Sequence, residues 1–170
     1  MRKSFTIVLM VFLHGCMVVP KVTEEDFTGL LLLYIETISK GETSIRNYGD
    51  EDFGGLMREY VVDVMVARNR SITVRIPISI CASSCTLLLG SGDVRLSPNT
   101  VIGVHEPRLD SGSGYESGTK SSVGMSVLRR VIPACAVDLF DSRGALDSGD
   151  VTWFSGAEVL DACPGIIKEY

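Results

Sequence analysis

The segment Ile72-Thr-Val-Arg-Ile-Pro-Ile-Ser-Ile80 alternates branched apolar residues with polar residues or proline without a break. A period of two over such a length puts every apolar side chain on one face of a half-buried strand. The strand runs straight into Cys81-Ala-Ser-Ser-Cys-Thr86, then Leu87-Leu-Leu-Gly-Ser-Gly92. The spacing predicts a short helix through Leu89, capped by Ser83 or Ser84 and ended by the glycines. Pro77 is expected where its missing N–H does no harm to the ladder.

The rest of the chain alternates in the same way. Thr23 and Glu24-Glu-Asp26 precede an apolar run from Phe27 to Ile38, giving a helix over about 24 to 39, and Ser44 to Asn47 is a short strand candidate. Phe53, Leu56, Met57, Tyr60, Val61, Val64 and Met65 recur at helical spacing, giving a helix over 52 to 67. Strands are expected at Val94 to Leu96 and Val101 to Val104, a flexible Ser/Gly-rich loop at 109 to 119, and a long helix over 120 to 142 interrupted near Pro133. Ser155-Gly-Ala-Glu158 is a capping box for a last helix that stops near Cys163-Pro164-Gly165. Strands alternating with helices argue for an α/β domain with largely parallel pairing.

With 170 residues the chain is the size of one domain, 1 to 170. A net charge of −5 with no basic run longer than Arg129-Arg130 excludes nucleic acid as the expected partner, and no window reaches the roughly 20 apolar residues of a membrane span. Cys16, Cys81, Cys85, Cys135 and Cys163 lack the repeated spacing of a zinc site, so no metal is expected. The four later cysteines are either small buried residues or two disulfides, whose pairing the sequence leaves open and which would require an oxidising compartment.

Residues 1 to 16 have two readings. Met-Arg-Lys, the apolar run Phe5 to Leu13 and Gly15-Cys16 form a lipoprotein-type signal with Cys16 as the lipidated residue, which would place the protein in the envelope. The same apolar run ending at a glycine also suits a first β-strand.

A serine after a strand and at a helix start is favourably placed for nucleophilic attack, because free N–H groups there stabilise a developing oxyanion. Activation needs a base, and His105 is one of only two histidines. The plain alternative is an N-cap serine and a polar residue closing a buried strand.

Ala82-Ser-Ser-Cys85, the glycine-ended helix that follows, Arg95-Leu-Ser-Pro-Asn99 and Ile102-Gly-Val-His-Glu-Pro107 resemble the proteolytic subunit of the Clp protease and its smaller relatives. In that family an Ala-Ser segment enters a helix ending Ala-Gly, followed by Arg, Leu-Pro-Asn and a histidine before Gln-Pro. The Cys-Ala-Ser-x-Cys-Thr form is similar to that of Clp-like proteins predicted to be exported. The likeness extends over nearly the whole chain, with Gly15 ending a first strand and Asn47-Tyr-Gly-Asp50 matched to the family's Ser-Pro-Gly-Gly turn.

The resemblance implies a spiral of ββα units as in the Clp protease and crotonase superfamily, and a serine peptidase working through an acyl-enzyme. Ser83 would be the nucleophile and His105 the general base. The backbone N–H groups of Ser84 and of the turn at Gly49 and Asp50 would form the oxyanion hole. Asp150 would orient the imidazole, with Asp147 in reserve. Asp50 stands where the family has glycine, which motivates the alternative of an impaired or inactive scaffold subunit. The family also implies a peptide or protein substrate, a homo-oligomer assembled through the 120 to 142 helix, a separate ATPase partner and no cofactor.

Overall fold

The computed structural model describes residues 51–76, 79–110 and 116–170. The expected first strand or signal, the helix over 24 to 39, the strand at 44 to 47, Cys16, Gly49 and Asp50 lie outside the described residues.

The described chain is mixed α/β, a mostly parallel sheet flanked by helices. Its elements run β1 (Glu51–Asp52), α1 (Met57–Arg70), β2 (Val74–Ile76), β3 (Ile80–Ala82), a 3-10 helix (Ser83–Gly90), β4 (Val94–Leu96) and β5 (Val101–Val104). Then follow β6 (Arg108–Asp110), β7 (Glu116–Lys120), α2 (Ser122–Val131), α3 (Ala134–Ser142), a 3-10 turn (Ala145–Asp147), β8 (Thr152–Ser155), α4 (Gly156–Ala162) and β9 (Ile167–Glu169). One sheet has the order β1-β3-β5-β8 and a second the order β2-β4-β9. Only β8 runs antiparallel among these strands. Strands β2 and β4 serve the second sheet while their successors β3 and β5 serve the first, so the chain alternates between the sheets as it advances.

The alternating segment is therefore two strands, not the one its pattern predicts. Val74 and Ile76 are buried and Arg75 exposed, as the period of two requires. Yet Ile76 pairs with Leu96 in one sheet and Ile80 with Val101 in the other. Strand β2 buries alternate residues, whereas β3 buries Cys81 and Ala82 in succession, so the alternation in sequence runs on across a change of sheet.

Helix α1 begins at Met57 rather than 52, because Gly54 adopts φ +86° and its N–H is taken by the Asp52 carboxylate at 2.8 Å. It buries Tyr60, Val61, Val64 and Ala67 and ends at Ser71 with φ +53°. Near its end Arg68 Nη2 donates to the Val131 carbonyl at 2.7 Å, tying α1 to α2. The long helix expected over 120 to 142 is two helices, α2 and α3. Ile132 before the proline is extended, with ψ 144°, and Pro133 opens the next helix. The two ends of the stretch expected as a loop pair as strands β6 and β7, Arg108 opposite Lys120 and Asp110 opposite Glu116. Its Ser/Gly composition carries no apolar alternation, so pairing there comes from tertiary context.

The core gathers Val64, Leu87, Leu89, Leu96, Ile102, Val104, Phe140, Phe154 and Val159. Phe140 and Phe154 stack with centroids 5.0 Å apart, joining α3 to β8. Full burial of a side chain such as Leu87 stabilises by about 1.5 to 3 kcal/mol. Two disulfides close the framework: Cys81–Cys85 and Cys135–Cys163. The second spans 28 residues and ties α3 to the end of α4. On loop entropy such a bridge stabilises by about 3.5 kcal/mol, against about 2 kcal/mol for the short one.

Candidate active site

Parallel pairing of β3 with β5 sets Ala82 opposite Gly103. Each strand then ends within two residues, so the side chains that follow, Ser83 and His105, emerge side by side at the carboxyl edge of the sheet. That edge is where open α/β sheets form their crevices.

Ser83 Oγ lies 2.8 Å from His105 Nε2, and His105 Nδ1 lies 2.8 Å from the Glu106 carbonyl oxygen. A carbonyl only accepts, so Nδ1 carries the hydrogen and Nε2 presents its lone pair to the serine. The Ser83 hydroxyl then donates to Nε2, the arrangement in which imidazole removes a hydroxyl proton.

The capping alternative finds no support at this helix start. The residue in the N-cap position is Ala82, and no side chain caps the 3-10 helix. Ser84 Oγ instead donates to the Gly55 carbonyl at 2.8 Å, and Thr86 Oγ1 donates to the Ser83 carbonyl at 2.7 Å. Ser83 itself has φ +55°, the left-handed region that a residue with a side chain seldom enters. Such conformations persist where surrounding contacts over-determine them.

The turn that faces the serine is Phe53-Gly54-Gly55. A β-carbon on Gly54 would stand 2.7 Å from Ser83 Cβ and 2.8 Å from both Ser84 N and the Ala82 oxygen. Only glycine allows this approach. Asp52 secures the turn, its Oδ1 accepting from Gly54 N at 2.8 Å and from the Tyr60 hydroxyl at 2.7 Å. The Ser84 amide belongs to the first turn of its helix, where N–H groups lack an intrahelical acceptor. Beside it runs the Gly54–Gly55 backbone, the wall that faces the serine, with the Gly55 carbonyl accepting from Ser84 Oγ. The reading of Gly49 and Asp50 as that wall concerns residues outside the described ones. The signal for Gly54-Gly55 was a glycine pair immediately before a helix, masked by apolar spacing that continued back to Phe53.

Asp150 is not brought to the histidine. Its carboxylate is solvent-exposed, and its backbone N–H donates to Ser148 Oγ at 3.1 Å. The reserve residue, Asp147, is also exposed and pairs with Lys120 Nζ at 2.8 Å. That hydrogen bond holds the Asp147 carboxyl below its ordinary pKa and the Lys120 ammonium above its own. Ser148-Gly-Asp150 is surface turn, and Nδ1 meets a backbone oxygen, a contact that no sequence spacing reveals.

A cavity of about 660 Å³ opens over Ser83 and His105. Phe53, Leu56, Leu87, Pro107 and Leu128 line it, with Arg58 also on its wall. Its lining is mainly apolar, with Ser83 and His105 among the polar groups that face it.

The four later cysteines form the two disulfides that were one of their expected states, with the connectivity Cys81 to Cys85, beside Ser83, and Cys135 to Cys163. No known protein family, curated protein or solved structure matches the chain.

Proposed function

We propose that the protein is a serine hydrolase, most simply a peptidase, built on a spiral of ββα units like that of the Clp protease and crotonase superfamily. The observation that carries the reading is the 2.8 Å contact of Ser83 Oγ with His105 Nε2 on a left-handed serine beside the Gly54–Gly55 turn. The alternation of strands between two sheets supports the spiral.

In this mechanism Ser83 attacks a substrate carbonyl carbon while its proton passes to His105 Nε2. The Ser84 and Gly55 amides receive the oxyanion. The intermediate collapses to an acyl-enzyme as Nε2–H protonates the leaving group, and water, deprotonated by the same nitrogen, releases the acid. The Glu106 carbonyl accepts the Nδ1 hydrogen, which leaves the Nε2 lone pair facing Ser83.

The test is fluorophosphonate labelling with peptide mapping. The label is expected on Ser83 and absent in Ser83→Ala; an intact folded protein that takes no label overturns the proposal. A second reading, a scaffold subunit without turnover, draws on Asp150 and Asp147, both of which stand on the surface away from His105. It predicts a folded oligomer that never labels. Two disulfides support an oxidising compartment. A peptide substrate, a homo-oligomer and a separate ATPase partner remain part of the proposal.

A further inference from the structure

The Cys81–Cys85 bridge encloses the proposed nucleophile. Cys81 is in β3 and Cys85 in the 3-10 helix, four positions on, so the closed ring contains Ala82, Ser83 and Ser84. The two cysteines are 1% and 3% exposed, packed under the elbow in the core. Stabilisation of a fold by a disulfide grows with the loop it closes, and this loop is among the shortest a bridge can close. Its main product is local geometry.

That geometry has a need for it. Ser83 is held at φ +55° with no side chain capping the helix that starts there. The bonds of Ser84 Oγ to Gly55 and of Thr86 Oγ1 to the Ser83 carbonyl fix the ring from outside. The bridge fixes the path of the chain through it, joining the strand before Ser83 to the helix after it.

Resting on the hydrolase reading, we infer that Cys81 and Cys85 are positioning residues, their disulfide holding Ser83 in the left-handed conformation that aims Oγ at His105 Nε2. The nucleophile is armed only in the oxidised protein. Reduction by a dithiol delivers two electrons and two protons to the bridge, giving two thiols and a cyclic disulfide of the reductant; the fold survives and the serine relaxes away from the histidine.

The experiment compares Cys81→Ala/Cys85→Ala with Cys135→Ala/Cys163→Ala in the full chain. The first pair is expected to slow turnover of an ester substrate and fluorophosphonate labelling at least 30-fold (roughly the scale of misaligned reacting groups), with KM nearly unchanged. The second pair should lower the melting temperature and leave kcat alone. Should the first variant not fold, the wild type is titrated with dithiothreitol, and labelling rate is plotted against thiols trapped at Cys81 and Cys85 by mass spectrometry. A spectroscopic readout stands apart from activity: the ¹⁵N resonance of His105 Nε2, assigned by its loss in His105→Gln, shifts when the Ser83 hydrogen bond is lost. A folded protein lacking the bridge that labels as fast as wild type, or keeps that resonance unmoved, overturns the inference. If the oxidised wild type never labels, the hydrolase reading fails, while the resonance still decides whether the bridge positions Ser83.

Discussion

Ser83 Oγ and His105 Nε2 are 2.8 Å apart although 22 residues separate them, because parallel register ends β3 and β5 at the same edge. The contact is made by strand pairing rather than by flexible side chains reaching across a gap. Replacing His105 by alanine is therefore expected to lower labelling and turnover by about 10²- to 10⁴-fold, the ordinary worth of a general base. Ser84→Ala should remain labelled on Ser83, slowed a few-fold, since it loses one hydrogen bond to Gly55 worth about 1 kcal/mol. Labelling kinetics on the two variants separate the roles; a label lost in Ser84→Ala and retained in Ser83→Ala would reverse the assignment.

His105 Nδ1 donates to the Glu106 carbonyl, and Asp147 and Asp150 both stand on the surface away from the ring, so neither of these two should matter much. Loss of the orienting carboxylate in a Ser-His-Asp triad costs about 10⁴ in kcat. Asp150→Asn and Asp147→Asn are each expected to change the rate less than about tenfold, far below that figure. Labelling rates of the two variants at pH 7 check this, and a collapse in Asp150→Asn would show that the side chain reaches His105 during reaction.

Gly54 and Gly144 both have positive φ, +86° and +66°, but only the first is crowded. An alanine at 144 meets nothing within 4 Å and bears only the conformational cost, about 1 kcal/mol. An alanine at 54 must also displace Ser83, Ser84 or the Ala82 carbonyl. Gly54→Ala is expected to abolish most activity in a protein that still folds, while Gly144→Ala is slightly less stable and fully active. Circular dichroism melts alongside ester hydrolysis distinguish the two.

What could be read from the residues follows from which forces are local. The capping box at Ser155 and Glu158 was legible because its two bonds join residues three apart, and both are present. The serine and histidine were legible as candidates because a hydroxyl at a helix start needs a base, His105 is one of only two histidines, and the surrounding segments resemble those of the Clp protease family. Their partners were not. The niche beside Ser83 depends on the positive φ of Gly54, which the run of apolar spacing through Phe53 and Leu56 disguised as helix. The change of sheet between Ile76 and Ile80 falls inside an alternation of residue types that continues through it, so no periodicity registers it. Strands β6 and β7 pair with each other although their composition carries no apolar alternation.

The capping box also makes stability depend on pH. Glu158 accepts from the Ser155 backbone N–H at 2.7 Å and pairs with Arg143, and these hold its carboxyl below the ordinary value of 4.5. The unfolded chain binds the proton more readily than the folded one, so the contribution is complete above about pH 4.5 and is lost as pH falls through the lowered folded value. Glu158→Gln keeps the reach of the capping box without the charge. It should be less stable than wild type at pH 7, and the gap should close on acidification below the ordinary carboxylate range. Urea unfolding at pH 7 and at low pH measures the gap; one that stays constant across the range would assign the loss to packing rather than to ionisation. Ser155→Ala, which removes the hydroxyl that accepts from Glu158 N at 3.2 Å, should cost about 1 kcal/mol at pH 7 with the site's labelling rate unchanged, because α4 joins the sheet at β8, away from the Ser83 edge.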